Sequence, residues 1–202
     1  MKITIAHDFI CPWCWIAVHQ AADLKREFPD VEFDWVGYEL FPEELAWPDW
    51  PATEKTPNKP DTPSRLDLAY LASGIAAPPS VTRPSKMRSH NALEAVEYAK
   101  TIGVHEVLNE RLYRALWEEG QEINNPTVIL HLAEGLIPNI DDLDRAIAEK
   151  RFTGQIVKFD NEAYAAGVFN VPTFFINGER YAEQPTVALR NAVLAAKQTS
   201  AR

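Results

Sequence analysis

Cys11-Pro12-Trp13-Cys14, running on into Trp15-Ile16-Ala17-Val18, is the stretch on which the reading of this chain turns. These are the only two cysteines in 202 residues, and two residues separate them. A thiol pair at this spacing closes a small disulfide ring and reopens it by exchange, which is the chemistry of a redox motif. Pro12 falls where the first turn of a helix begins, where its missing N–H costs nothing and its fixed φ helps. That puts Cys11 at a helix N-terminus, with free N–H groups and the positive dipole end at its sulfur. Both favour the thiolate, so Cys11 is the expected nucleophile and Cys14, one turn in, the buried partner that resolves mixed disulfides. Three plainer readings compete. A zinc site needs two further ligands, and His7, His19, His90, His105 and His131 contain no close metal-ligand pair. A structural disulfide across two residues removes little unfolded-state entropy. Two ordinary buried cysteines are the default, but they leave the proline at the helix start unexplained.

Length suits one large domain, or one domain with an insertion. With 46% hydrophobic residues the chain can build a substantial core, and a net charge of −9 without a basic block argues against nucleic acid as a partner. Met1 to Asp8 lacks the apolar region of a signal peptide and reads as a first strand. No apolar run is long enough for a membrane span, so no membrane partner is expected. With no cysteines used as staples, a cytoplasmic location is the expectation.

Outward from the motif, Ile3 and Ile5 alternate with polar residues in a strand leading to Cys11. Ala17, Ala21, Leu24 and Phe28 form the apolar stripe of the helix after it, which Pro29 ends. Val31, Phe33 and Trp35 face one side of a second strand, with Glu32 and Asp34 opposite. A β-α-β opening with the dithiol at the carboxyl end of its first strand is where α/β sheets place reactive groups. Between Pro42 and Pro63 six prolines punctuate the chain, with Trp47 and Trp50 among acidic residues; the expectation is a functional loop packed over the site, or a connector with its rings on the core.

From Ser64 to Lys150 the periodicity is helical. Leu66, Ala69 and Tyr70 begin one helix that Gly74 ends; Ala92, Val96 and Ala99 mark a second, and Val104, Leu108, Leu112 and Ala115 a third. Pro126 starts a fourth, and Asp141 or Asp142 caps a fifth containing Leu143 and Ile147. After it, Ile156, Phe159, Ala163 and Ala166 suggest a helix closing at Gly167. Asn170 to Ile176 reads as a strand, Asn177-Gly178 as a type I′ turn, and Glu179 to Ala182 as the antiparallel partner. Pro185 starts a last helix with Leu189, Val193 and Ala196 inward.

Pro172 opens a strand, a position proline tolerates in trans, while a cis bond there would mark a specified turn. A β-α-β unit that carries a dithiol, then a helix and Val171-Pro172-Thr173-Phe174 before a hairpin and a last helix, is the layout of the thioredoxin fold. Together with the helical block and the stretch Arg111 to Gly120, it resembles the DsbA-like branch of that superfamily, in particular the FrnE-type proteins. The resemblance covers nearly the whole chain and implies an α/β thioredoxin-like core over residues 1–62 and 151–202, with an all-helical insertion at 63–150. It further implies that Cys11 attacks substrate disulfides, that Cys14 resolves, and that Val171-Pro172 is the cis-proline pair. Pro12, Trp13, Val171, Pro172 and Thr173 would bind substrate. The implied activity is that of a thiol–disulfide oxidoreductase or isomerase on protein or peptide disulfides, needing no metal or organic cofactor, with glutathione an optional redox co-substrate. The related kappa-class glutathione transferases and hydroxychromene-carboxylate isomerases share the architecture but carry serine at the position of Cys11. Their glutathione-dependent chemistry on small molecules is one alternative, and a non-enzymatic binder of unfolded chains is another.

Four further sets of residues are candidates. His7 and Asp8 would shuttle protons to Cys14, unless they are solvated loop positions. Glu39 is expected at an exposed strand end, with a buried proton acceptor as the alternative. Ser89, His90 and Asn91 would line the cleft or simply cap a helix. Tyr113 and Trp117 read as core or groove wall. Trp13 supplies no positive charge between the thiols, so the expected potential lies below that of the strongest oxidants.

Overall fold

The computed structural model describes residues 1–47, 62–158, 165 and 167–200. The alternating Ile3 and Ile5 form β1 (Lys2–His7), followed by α1 (Pro12–Glu27) and β2 (Glu32–Glu39). The helical block comprises α2 (Arg65–Ser73), α3 (His90–Thr101), α4 (His105–Trp117), α5 (Pro126–Ala133) and α6 (Ile140–Ala148). A 3₁₀ turn (Thr153–Gln155) precedes β3 (Val157–Lys158), and the chain closes through β4 (Thr173–Ile176), β5 (Glu179–Ala182) and α7 (Thr186–Ser200).

The strands form one mixed sheet in the order β3-β2-β1-β4-β5. β1 lies parallel to β2, with Ile5 beside Trp35, and antiparallel to β4, with Ile5 also opposite Phe174. This is the thioredoxin-like α/β architecture with helices inserted between β2 and β3. Ile3, Ile5, Phe33, Trp35 and Phe174 are buried at the centre of the sheet. Asn177 and Gly178 both take positive φ, 51° and 80°, as a type I′ turn requires.

Helix boundaries follow local chemistry. Ser64 and Asp67 make a reciprocal capping box at α2, and Gly74 ends that helix in the left-handed region. The cap of α6 is Asn139, which accepts the Asp142 N–H; Asp141 and Asp142 occupy the first turn, where they complement the dipole. Pro185 stands one residue before α7, its carbonyl accepting the Ala188 N–H at 2.9 Å. α2 packs on α1 and α7, whereas α3 packs on α4, α5 and α6. The close approach of α3 to the sheet depends on Gly37 of β2, where a Cβ would stand 2.9 Å from Leu93 Cδ2.

One segment departs from the sequence reading. Val157 and Lys158, expected inside a helix, pair in parallel with Tyr38 and Glu39 as an edge strand. Two residues carry too little periodicity to signal a strand, and the β2 edge supplied the pairing. The expected helix positions Phe159, Ala163 and Ala166 lie outside the described residues, as do Trp50 and most of the proline-rich stretch.

Candidate active site

Cys11 is the N-cap residue of α1, in extended conformation, and Pro12 begins the helix. The Cys11 carbonyl accepts the N–H groups of Cys14 (3.0 Å) and Trp15 (3.4 Å), closing the first turn. This turn separates the two sulfurs by accessibility. Cys11 is 7% exposed and Cys14 wholly buried, and both are free thiols. Burial pushes the Cys14 thiol well above its ordinary value, and contact with Cys11 adds to the shift.

The second half of the site comes from the other end of the chain. The Val171–Pro172 peptide is cis. The Cys11 thiol donates to the Val171 carbonyl at 3.3 Å. Thr173 is buried and donates through Oγ1 to the Asn170 carbonyl at 2.7 Å, so its hydroxyl fastens the loop. Trp13 is half-buried beneath the Arg65 guanidinium, which lies 5.5 Å from the ring centroid. Arg65 also pairs with Glu183, whose other carboxylate oxygen accepts from Asn170 Nδ2 at 2.7 Å. Trp13 thus has a cation nearby in space that no neighbour in sequence provides.

The chain belongs to the DSBA-like thioredoxin domain family. The family's profile matches residues 2–193. The fold is similar to a probable DsbA oxidoreductase of Streptomyces coelicolor, with a TM-score of 0.68, 20% identity and coverage of 98% of this chain and 90% of that one. It is similar to a 2-hydroxychromene-2-carboxylate isomerase (TM-score 0.69, 18% identity, 100% and 98% coverage). It is similar also to the cytosolic disulfide reductase DsbM of Pseudomonas aeruginosa, solved with glutathione (TM-score 0.66, 17% identity, all of both chains). No curated protein sequence matches the chain.

Beneath the motif of this DSBA-like protein lies a polar cluster. His7 and Asp8 are wholly buried, not solvated loop residues. The Asp8 carboxylate accepts N–H groups from Leu40 at 2.7 Å and Ile10 at 3.3 Å. Burial nevertheless raises its pKa to about 6, against those bonds, with the Glu39 charge adding to the rise. Burial drives His7 the other way, to about 3, with Lys100 assisting. Its Nδ1 meets the Tyr113 hydroxyl at 2.9 Å.

Glu39, expected at an exposed strand end, is buried. It holds His90 Nδ1 at 3.0 Å, while His90 Nε2 meets Thr153 Oγ1 at 3.1 Å and Glu94 Oε1 at 3.5 Å. Hydrogen bonds to Glu39 and Glu94 raise His90 to about 9 against partial burial. Burial raises Glu94, but His90, the Thr153 hydroxyl and the Phe152 N–H outweigh it and hold the carboxyl below its ordinary value. His90 therefore ties α3 to β2 and to the 3₁₀ turn and does not line the cleft. Ser89 precedes α3 without capping it through its side chain, and Asn91 bonds to Asn124.

Tyr113 and Trp117, one turn apart on α4, reach the segment that presents Cys11. Tyr113 Oη donates to the Asp8 carbonyl at 3.1 Å and Trp117 Nε1 to the Phe9 carbonyl at 2.9 Å. Their i, i+4 spacing was visible in sequence, but its target lies more than a hundred residues away. Beside Ile10, a pocket of about 250 Å³ is walled by Phe41, Trp47, Met87, Leu116 and Trp117. Among the described residues, no group of three or more His, Cys, Asp or Glu is arranged to hold a metal, and no helix is long and apolar enough to cross a membrane.

Proposed function

We propose that this protein is a thiol–disulfide oxidoreductase for protein or peptide disulfides, acting through Cys11 and Cys14 without a metal or organic cofactor. The observation that carries the reading is the Cys11 sulfur at the helix N-terminus, 3.3 Å from the carbonyl preceding the cis proline. An extended chain laid along Val171 would bring its own disulfide to that sulfur. Trp13, Pro12 and Pro172 form the surround, and the apolar pocket beside Ile10 suits a side chain next to the target cysteine.

Thiolate attack by Cys11 breaks the substrate disulfide, forms a mixed disulfide and releases one thiolate. Cys14 then attacks the Cys11 sulfur, releasing the second substrate thiolate and leaving Cys11–Cys14 oxidised. Asp8, with a pKa near the working pH, is the acceptor for the Cys14 proton. The reverse sequence oxidises a substrate dithiol. The reading places the protein in the cytoplasm, supported by the fold's likeness to a reductase described as cytosolic.

A second reading has support in the likeness to the hydroxychromene-carboxylate isomerase and to the glutathione-bound reductase: glutathione would serve as co-substrate. Incubation with a disulfide-bonded peptide, thiol trapping and mass analysis separate the two. Peptide–Cys11 adducts that resolve through Cys14 support the first. Inert thiols, with glutathione-dependent turnover of an electrophile, would overturn it.

A further inference from the structure

We propose that Arg83 makes the pocket beside Ile10 a subsite for acidic, apolar substrate segments. It selects polypeptide disulfides that carry a large apolar side chain and a glutamate or aspartate side chain close to the target cysteine. The proposal rests on the dithiol reading above and names the substrate class of that site.

The pocket is sized for one side chain and is tied to the reactive turn. Ile10, the residue before Cys11, forms one wall. Trp117 forms another, and its Nε1 donates to the Phe9 carbonyl at 2.9 Å. Phe41 and Trp47, stacked with ring centroids 4.5 Å apart, complete the walls with the buried Met87 and Leu116. A volume of about 250 Å³ takes a side chain between leucine and phenylalanine in size, and Met87 can adapt to either. At about 3.3 Å per residue in an extended chain, that side chain belongs within a residue or two of the cysteine that Cys11 attacks.

The charge at this pocket sets it apart. Seven arginines elsewhere each face a carboxylate. Of the three described arginines that face none, Arg180 lies over Phe169. Arg83 and Arg88 both stand at the pocket, over Trp117 at 4.8 Å and over Trp47 at 5.6 Å from the ring centroids. The carboxylates that follow Trp117 and Phe41 in sequence are committed elsewhere. Glu118 pairs with Arg114 at 3.1 Å, Glu119 with Arg111 at 2.7 Å and Glu43 with Lys150 at 2.8 Å.

The two arginines divide the work. Arg88 donates through Nη1 to the Phe41 carbonyl at 2.8 Å and to the Pro42 carbonyl, and through Nη2 to the Leu45 carbonyl at 2.9 Å, so it holds the Phe41–Trp47 wall. Arg83 keeps donors to spare. Its Nη2 reaches the carbonyls of Pro79 at 3.1 Å and Trp117 at 2.9 Å, while Nε has no partner and Nη1 has none among the described residues. Trp117 ends α4, and a helix C-terminus offers only about half a negative charge. A planar cation, half-buried and still net positive, is therefore fixed at the pocket, where a carboxylate can complete its pairing. Because the fork is already anchored, little side-chain entropy is lost when it does. The overall charge of −9 does not attract acidic chains from a distance, so the selectivity is local and sets the register of the bound segment.

The test uses disulfide-linked dimers of acetylated, amidated peptides with leucine beside the cysteine and glutamate placed in turn at each nearby position. Second-order rates of their reduction by the dithiol protein are compared with those of peptides bearing glutamine for glutamate or alanine for leucine. Glutamate at its best position should raise the rate about tenfold over glutamine, the factor for one hydrogen bond between charged groups. Alanine for leucine should lower it about tenfold, the factor for burying one large apolar side chain. Arg83→Gln should bring glutamate and glutamine peptides to parity, and Arg83→Glu should invert the preference towards lysine. Ratios are taken within each protein, so a general loss of folding cancels. Arg190→Gln removes the same charge from the distant pair with Glu27 and should keep the parent ratio. Parity in the parent overturns the proposal, as does a preference that survives Arg83→Gln or disappears equally in Arg190→Gln. A preference seen only with a free C-terminal carboxylate overturns the side-chain assignment. The same peptides with serine for cysteine bind without exchange, and tryptophan fluorescence reads their affinity. Selective binding without any disulfide reduction would strike the dithiol reading and leave the subsite standing, whereas reduction without selectivity would do the reverse.

Discussion

The Cys11 sulfur and the Val171 carbonyl meet at 3.3 Å although 160 positions separate them in the chain. This contact joins the two halves of the core at the reactive group. The first β-α-β unit supplies the helix N-terminus under Cys11, and the β4 entry supplies the backbone an extended substrate would align with. The inserted helices form the floor, through Tyr113 and Trp117.

Cys11→Ser should abolish disulfide reduction, lowering turnover about 100-fold or more, whereas Cys14→Ser should still attack but accumulate mixed disulfides. Mass analysis after thiol trapping distinguishes them. Equal adduct formation by both variants would contradict the assigned roles.

Asp8 gives a pH dependence of stability with a definite sign. Its folded pKa of about 6 lies above the unfolded value of 3.8, so the native state binds the extra proton between them. Its contribution is therefore full below pH 3.8 and lost as pH rises through 6, a swing on the order of 3 kcal/mol. Asp8→Asn removes that swing. Urea unfolding at pH 4 and pH 7 should show the variant gaining on the parent as pH rises. His7, depressed to about 3, acts oppositely and is common to both proteins, so it cancels in the comparison.

His90 gives the other pH window. Raised to about 9 by Glu39 and Glu94, it contributes stability that is full below pH 6.5 and lost as pH rises through 9. Its side chain is 16% exposed, and the contribution is on the order of 2 kcal/mol. His90→Gln should lower the melting temperature at pH 6 and lose less than the parent between pH 6.5 and pH 9.5. Parallel curves for the two proteins would remove the assignment.

Much of this arrangement was legible in the sequence. The dithiol, the proline at the start of α1, the Val171-Pro172 entry and the Asn177-Gly178 turn are local signals, and each stands where its chemistry put it. The apolar stripes of α3 and α4 were equally plain, because a 3.6-residue period survives in any context. What stayed hidden depends on partners distant in sequence. Asp8 and Glu39 looked solvated because nothing beside them reveals that Leu40 N–H and His90 would satisfy their oxygens. Val157 and Lys158 became a strand because β2 had a free edge. The hydrogen bonds of Tyr113 were invisible for the same reason: a tyrosine in an apolar helix reads as core or groove wall until its hydroxyl is seen at His7 and Asp8.

Gly37→Ala should cost about 1 kcal/mol, because the new Cβ meets the end of the Leu93 side chain at 2.9 Å and that side chain must move. Combined with Leu93→Ala, the clash is relieved, and the double variant should be more stable than the sum of the single losses. Additive losses would place the strain elsewhere. Chemical denaturation of the four proteins measures the coupling.

Trp13→His places a titratable donor between the thiols and should raise the reduction potential by about 15–30 mV by favouring the reduced form. Arg65 already stands over this position, so Arg65→Ala should shift the potential of Trp13→His further than that of the parent. Equilibration of the four proteins in glutathione buffers reports both shifts.

The central claim is that Cys11 and Cys14 form one reversible two-electron couple. Equilibration of the parent protein across graded glutathione buffers, with thiol trapping and mass readout, tests it most directly. The prediction is one transition between a dithiol and an intramolecular disulfide, at a potential between roughly −270 and −120 mV, the span of the known exchange proteins. A protein that forms no intramolecular disulfide under any buffer, or ends only as a glutathione adduct on Cys11, would contradict the dithiol mechanism and leave glutathione-dependent chemistry as the reading of this site.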